Sequence, residues 1–112
     1  MNWLPLTNLD QLNSIEKDSY EKCVVLFKHS TRCSISDMAK GRLDRSPNLE
    51  QADFYYLDLI ANRDISNEIA NRFNIHHESP QLILLRKGEC VYTESHNGIT
   101  IEELEEQLEK QA

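Results

Sequence analysis

The side chains suited to covalent chemistry in this chain are three cysteines, at positions 23, 33 and 90, and Cys33 has the most telling neighbours. It lies in Lys28-His29-Ser30-Thr31-Arg32-Cys33-Ser34-Ile35-Ser36. Before this stretch, Cys23-Val24-Val25-Leu26-Phe27 is an apolar, β-rich run that reads as a strand covered on both faces. After it, Ile35, Met38, Ala39 and Leu43 recur at helical spacing, and Ser46-Pro47 supplies a stop. Cys33 is therefore expected at a helix N-terminus. Unpaired N–H groups and the positive end of the helix dipole favour a thiolate there, and Arg32, with Lys28 and His29 upstream, adds positive charge. Ser36 stands where a C-x-x-C redox motif carries its second thiol, so a single sulfur must act with help from outside.

The elements that position this sulfur follow from the rest of the chain. At 112 residues, 39% hydrophobic and 28% charged, it reads as a single domain, 1–112, with a sizeable core. No apolar run approaches the ~20 residues of a membrane span, and Met1-Asn2-Trp3-Leu4-Pro5 has no signal-peptide character, so a cytoplasmic location is expected. Three cysteines without framework spacing do not suit a secreted disulfide scaffold. A net charge of −7 argues against nucleic acid as partner. Much of that charge sits in Glu102, Glu103, Glu105, Glu106 and Glu109, read as the solvated face of a helix.

In chain order, Trp3–Leu6 suggests a first strand, and Asn8 a cap for a helix that turns Leu9, Leu12 and Ile15 inward. Beyond Pro47, Phe54–Leu59 reads as a third strand with Asp58 facing solvent. Asp64 is expected to cap a helix burying Ile65, Ile69, Ala70 and Phe73, closed by Asn74 in a left-handed turn. Ile75–Ser79 is a loop, and Pro80 precedes the strand Gln81–Leu85. Arg86-Lys87-Gly88-Glu89 reverses the chain into a strand at Cys90–Glu94. A last helix from about Thr100 turns Ile101, Leu104 and Leu108 inward. The order β-α-β-α-β-α-β-β-α implies an α/β fold, a mixed central sheet with helices on both faces. Its chemistry is expected at the C-terminal end of the second strand, where Cys33 lies.

Over nearly its full length the chain resembles the thioredoxin superfamily. The resemblance rests on the strand-cysteine-helix junction, on Ile69-Ala70-x-x-Phe73-x-Ile75 leading through Ser79-Pro80 to Leu82–Glu89, and on Gly98 before the final helix. It implies a thioredoxin-like fold with a cis bond between Ser79 and Pro80. Within that superfamily, Thr31-x-Cys33-x-Ile35-Ser36 resembles the monothiol bacilliredoxins, although Ser34 stands where that family often has proline. This implies removal of bacillithiol from protein mixed disulfides in the cytosol of low-glutathione bacteria. Cys33 is then the nucleophile, no cofactor is bound, the low-molecular-weight thiol is the cosubstrate, and S-thiolated proteins are the clients. Phe27 stands where thioredoxins bury an acid that helps deprotonate their second cysteine, and Arg32 replaces their tryptophan, favouring an anionic small thiol.

Ser36 has two readings, a hydrogen bond to the Cys33 thiolate or satisfaction of early helix N–H groups. Thr31, Arg32, Ser34 and Ile35 are read as substrate contacts around the sulfur, and Ser79 and Pro80 as a strand-like platform for an extended substrate. Ile35, Met38 and the proline loop would form a docking patch. Cys23 and Cys90 are read as core thiols. His77 and His96 could approach Cys33, but none of the four histidines has metal-ligand spacing, and no metal is expected. The rival readings are a noncatalytic thioredoxin-fold interaction or stress protein and, less favoured because C-G-F-S is absent, an iron–sulfur carrier.

Overall fold

A computed structural model describes residues 1–111; Ala112, the last residue of the expected domain, lies outside the described residues. The elements are β1 (Leu4–Pro5), α1 (Asp10–Asp18), β2 (Cys23–His29), α2 (Ser34–Asp44), β3 (Ala52–Asp58), α3 (Arg63–Arg72), β4 (Gln81–Arg86), β5 (Glu89–Ser95) and α4 (Ile101–Lys110). The sheet order is β1-β3-β2-β4-β5, with β1, β3 and β2 parallel and β4 and β5 antiparallel to their neighbours. β2 is central and buried along its whole length. Its alternation divides the core. Cys23, Val25 and Phe27 pack with Ala39 and Leu43 of α2 and Leu104 and Leu108 of α4. Val24 and Leu26 pack with Leu12 and Ile15 of α1 and Ile65 and Ile69 of α3. Burying each such side chain contributes about 1.5–3 kcal/mol, which makes β2 a rigid base for the loop that follows it.

Local chemistry sets the ends of these elements. Asn8 Oδ1 accepts from Gln11 N–H at 3.1 Å while Gln11 Oε1 accepts from Asn8 N–H at 3.0 Å, a reciprocal cap just before α1. Thr100 caps α4 by accepting from Glu103 N–H at 3.2 Å. Asn74, at φ 53°, follows α3 in the left-handed conformation, with Ile75 N–H donating to Ala70 O.

Several boundaries differ from expectation. β1 spans only Leu4–Pro5, β2 continues through Lys28 and His29, and β3 begins at Ala52. The N-cap of α3 is Asn62 rather than Asp64. Asp58 turns the chain earlier, its Oδ1 accepting from Ile60 N–H at 3.1 Å and Ala61 N–H at 3.4 Å, and it is half-buried rather than free in solvent.

The β4–β5 turn has positive φ at both central residues, 56° at Lys87 and 76° at Gly88, which suits the twist of a two-residue hairpin. Ser19 anchors it: its carbonyl accepts from Lys87 N–H at 2.7 Å and its Oγ from Gly88 N–H at 2.8 Å. A β-carbon on Gly88 would lie 2.8 Å from the Tyr20 hydroxyl, which is exposed enough to swing away. Gly88→Ala is therefore expected to lower stability by about 1–2 kcal/mol, the left-handed backbone cost, read as a lower urea midpoint with an unchanged slope.

Candidate active site around Cys33

Cys33 is the N-cap of α2, with φ −114° and ψ 121°, and its side chain is half-exposed. Its N–H donates to Ser30 O at 3.2 Å, closing the turn Ser30–Cys33, and its carbonyl accepts from Asp37 N–H at 3.0 Å, starting the helix. The sulfur itself makes no hydrogen bond among the described residues. Thr31, Arg32, Ser34 and Ile35 are exposed around it.

Ser36 has neither of the two partners expected. It is fully buried, and its Oγ accepts from Ser30 N–H at 3.0 Å and lies 2.6 Å from His29 Nδ1. It therefore fastens the turn that presents Cys33 to the body of α2. His29 is 3% exposed, with Nε2 3.3 Å from Asp37 Oδ1. Burial is the main influence lowering its pKa, with Lys40 acting the same way; Asp37, Asp58 and the Ser36 backbone oppose it. Its ring lies 5.9 Å from Phe27 and 5.6 Å from Tyr56, centroid to centroid, and Phe27 stacks on Trp3 at 5.7 Å. An aromatic wall thus stands behind the buried end of the C-x-x-S segment, where Phe27 leaves no acid.

The face that α2 buries also differs from the simple helical count. Ser36, Ala39 and Leu43 point inward, whereas Ile35 and Met38 are 44% and 63% exposed. Two apolar side chains of the first turns of α2 thus remain at the surface.

The proline loop reaches the same end of the sheet. Lys28 of β2 pairs with Gln81 of β4, which sets Pro80 beside the C-terminal end of β2, and the Ser79–Pro80 peptide is cis. Pro80 is buried and its carbonyl accepts from His96 N–H at 3.1 Å. The buried Gln81 amide supports the loop from inside, donating to His76 O at 3.0 Å and accepting from Glu78 N–H at 3.3 Å. Ser79 Oγ is buried without a hydrogen-bond partner among the described residues. Such an orphan hydroxyl is costly unless a ligand satisfies it.

Lys28 was read as a source of local positive charge, yet its side chain is fully buried on the α3 side of the sheet. Its ammonium donates to Ser66 O at 3.1 Å and to His77 Nδ1 at 3.2 Å, and burial lowers its pKa to about 8. His77 is thereby engaged with Lys28, and His96 Nε2 lies 3.7 Å from Glu78; neither hydrogen-bonds Cys33 among the described residues. Cys23 is 5% exposed, in agreement with a core thiol, whereas Cys90 is only half-buried and its Sγ donates to Tyr92 O at 3.4 Å. Burial pushes both thiols up.

The comparison with known proteins decides the family: the pattern described as monothiol bacilliredoxin BrxC matches residues 4–104. The chain belongs to the monothiol bacilliredoxin family. The chain is also similar to a solved structure assigned as an oxidoreductase with a thioredoxin fold, at 34% identity and TM-score 0.80, over 95% of this chain and 92% of that one. A redox protein from Chlamydomonas reinhardtii is 25% identical over 97% of this chain and 35% of its own, with TM-score 0.76. The thioredoxin of Malassezia sympodialis, at 17% identity and TM-score 0.73 over 97% and 90%, shares the fold. The family and this likeness support a thiol redox role on a thioredoxin fold.

Proposed function

We propose that Cys33 removes bacillithiol from protein mixed disulfides in the cytoplasm. The observation that carries this reading is a half-exposed cysteine at a helix N-terminus, with a buried, fully engaged serine in place of a resolving thiol. The Cys33 thiolate attacks the bacillithiol sulfur of the client disulfide. That S–S bond breaks, the client leaves as a thiolate that takes up a proton, and Cys33 becomes the mixed disulfide. A second bacillithiol thiolate then attacks the bound bacillithiol sulfur, giving bacillithiol disulfide and free Cys33. Exposed Arg32 suits an anionic small thiol, while Ile35 and the Ser79 backbone suit the client chain beside Pro80. Thr31 and Ser34 complete the rim around the sulfur.

Intact-mass kinetics at neutral pH test this by mixing the reduced protein with bacillithiolated and glutathionylated forms of one client. The expected result is transfer of the bacillithiol mass to Cys33, at least about tenfold faster than transfer from the glutathionylated client. Equal rates would reduce the assignment to a general monothiol reductase. No transfer to folded, reduced protein would favour a noncatalytic partner-binding role.

A further inference from the structure

The Ser36-His29-Asp37 chain of contacts is more than a brace for the Cys33 turn. Asp37 Oδ1, a carboxylate oxygen 3.3 Å from Nε2 but not hydrogen-bonded to it, favours by its negative charge a proton on Nε2 of the neutral imidazole, in which tautomer Nδ1 presents a lone pair to Ser36. At 2.6 Å, the Ser36 hydroxyl must then donate to Nδ1. One Ser36 lone pair is taken by Ser30 N–H at 3.0 Å, which leaves the other open. Ser36 is fully buried, so water does not compete for it. Cys33 lies three residues earlier, as the N-cap one turn before Ser36; its sulfur makes no hydrogen bond to Ser36 in this structure, so the relay requires the Cys33 side chain to turn toward that lone pair.

We propose that His29 draws the proton from Cys33 through the Ser36 hydroxyl, with Asp37 holding the imidazole in the tautomer this transfer requires. The proposal rests on Cys33 being the exchange nucleophile. The thiol proton moves to Ser36 Oγ as the Ser36 proton moves to His29 Nδ1. One S–H and one O–H bond break, one O–H and one N–H bond form, and the products are a thiolate and an imidazolium with no change in net charge. Run in reverse, the same path returns a proton to the sulfur at the site. His29 and Ser36 are thus positioning residues for Cys33, and the C-x-x-S segment gains a base on the side where Phe27 leaves none.

The charges around the imidazole suit this role. Asp37 of α2 and Asp58 of β3 favour the imidazolium, Lys40 of α2 opposes it, and Tyr56 of β3 and Phe27 of β2 wall the ring. Burial keeps His29 neutral at rest and so ready to accept a proton. The imidazolium is then favoured when the thiolate forms beside it, which makes the two titrations one coupled event.

The decisive measurement follows the His29 imidazole nitrogens by NMR against pH in the wild-type protein and in Cys33→Ala. In the wild type, His29 is expected to lose its charge in two steps, the later one over the pH range in which the Cys33–His29 pair gives up its shared proton, and that later step is expected to vanish in Cys33→Ala. Ser36→Ala and His29→Gln are expected to slow Cys33 alkylation at pH 7 by about tenfold, with Asp37→Asn intermediate. Identical His29 titrations in wild type and Cys33→Ala would overturn the proposal, whatever the other variants do. Neither readout uses bacillithiol or a client. Coupling without mixed-disulfide transfer would therefore sink the functional reading alone, and transfer without coupling would sink the relay alone.

Discussion

Cys33→Ser is expected to lower mixed-disulfide exchange by at least roughly a thousandfold while leaving folding stability within about 0.5 kcal/mol. The reaction needs a thiolate that can form and release an S–S bond, and a serine hydroxyl neither ionises near neutral pH nor forms one. The other two cysteines cannot substitute. Burial raises the pKa of both, Cys23 is 5% exposed, and the Cys90 thiol is half-buried on Tyr92 O. Stability is spared because the Cys33 sulfur is half-exposed and makes no hydrogen bond among the described residues, while the turn is held by its backbone and by Ser36. Intact-mass transfer and thermal unfolding on the same sample check both halves. Retained transfer in a folded Cys33→Ser protein would remove Cys33 from the mechanism.

What the sequence disclosed, and what it hid, follows from the range of the forces concerned. The junction at Cys33, the Lys87-Gly88 turn and the start of the last helix near Thr100 were legible because each depends on a few adjacent residues with their own backbone preferences. The buried face of α2 departs from the simple helical count. Ile35 and Met38 share helical spacing with Ala39 and Leu43, but the buried stripe runs through Ser36, a small polar residue that a hydrophobicity count passes over. Asn62 displaced Asp64 as the α3 cap because Asp58 bends the backbone two residues sooner than the helical pattern implied. Lys28 and His29 were hidden for a different reason. Burying a polar side chain is tolerable only where distant groups bond it, and Ser66, His77 and Asp37 come from other elements. The bond between His29 and Ser36, seven residues apart, spans the strand-to-helix turn and has no signature of spacing.

Lys28→Met is the variant in which this hidden polarity should have its largest effect on stability, and the expected direction is a gain. The ammonium is fully buried with a carbonyl and an imidazole as partners, and no carboxylate charge offsets the burial that lowers its pKa to about 8. An unfolded lysine holds its proton to about pH 10.4. Between these values the unfolded chain binds more protons than the folded one, so this residue's contribution raises stability as pH climbs from 8 towards 10. Below pH 8 both states are charged and the full cost of burial remains, on the order of 3 kcal/mol from the separation of the two pKa values. Methionine fills a similar volume without charge, and Ser66 O, inside α3, keeps its place in the helical ladder. Lys28→Met should therefore be more stable than wild type by about 1–3 kcal/mol at pH 7. Urea unfolding of both proteins from pH 7 to 10 isolates the effect, because the raised tyrosine and cysteine titrations cancel in the difference. The gap should narrow steadily above pH 8. A gap that stays constant to pH 10 would mean that the bonds to Ser66 and His77 hold the charged form as well as water does, and a less stable variant at pH 7 would mean that they outweigh the cost of burial, so that Lys28 fastens the proline loop to α3 at a net gain.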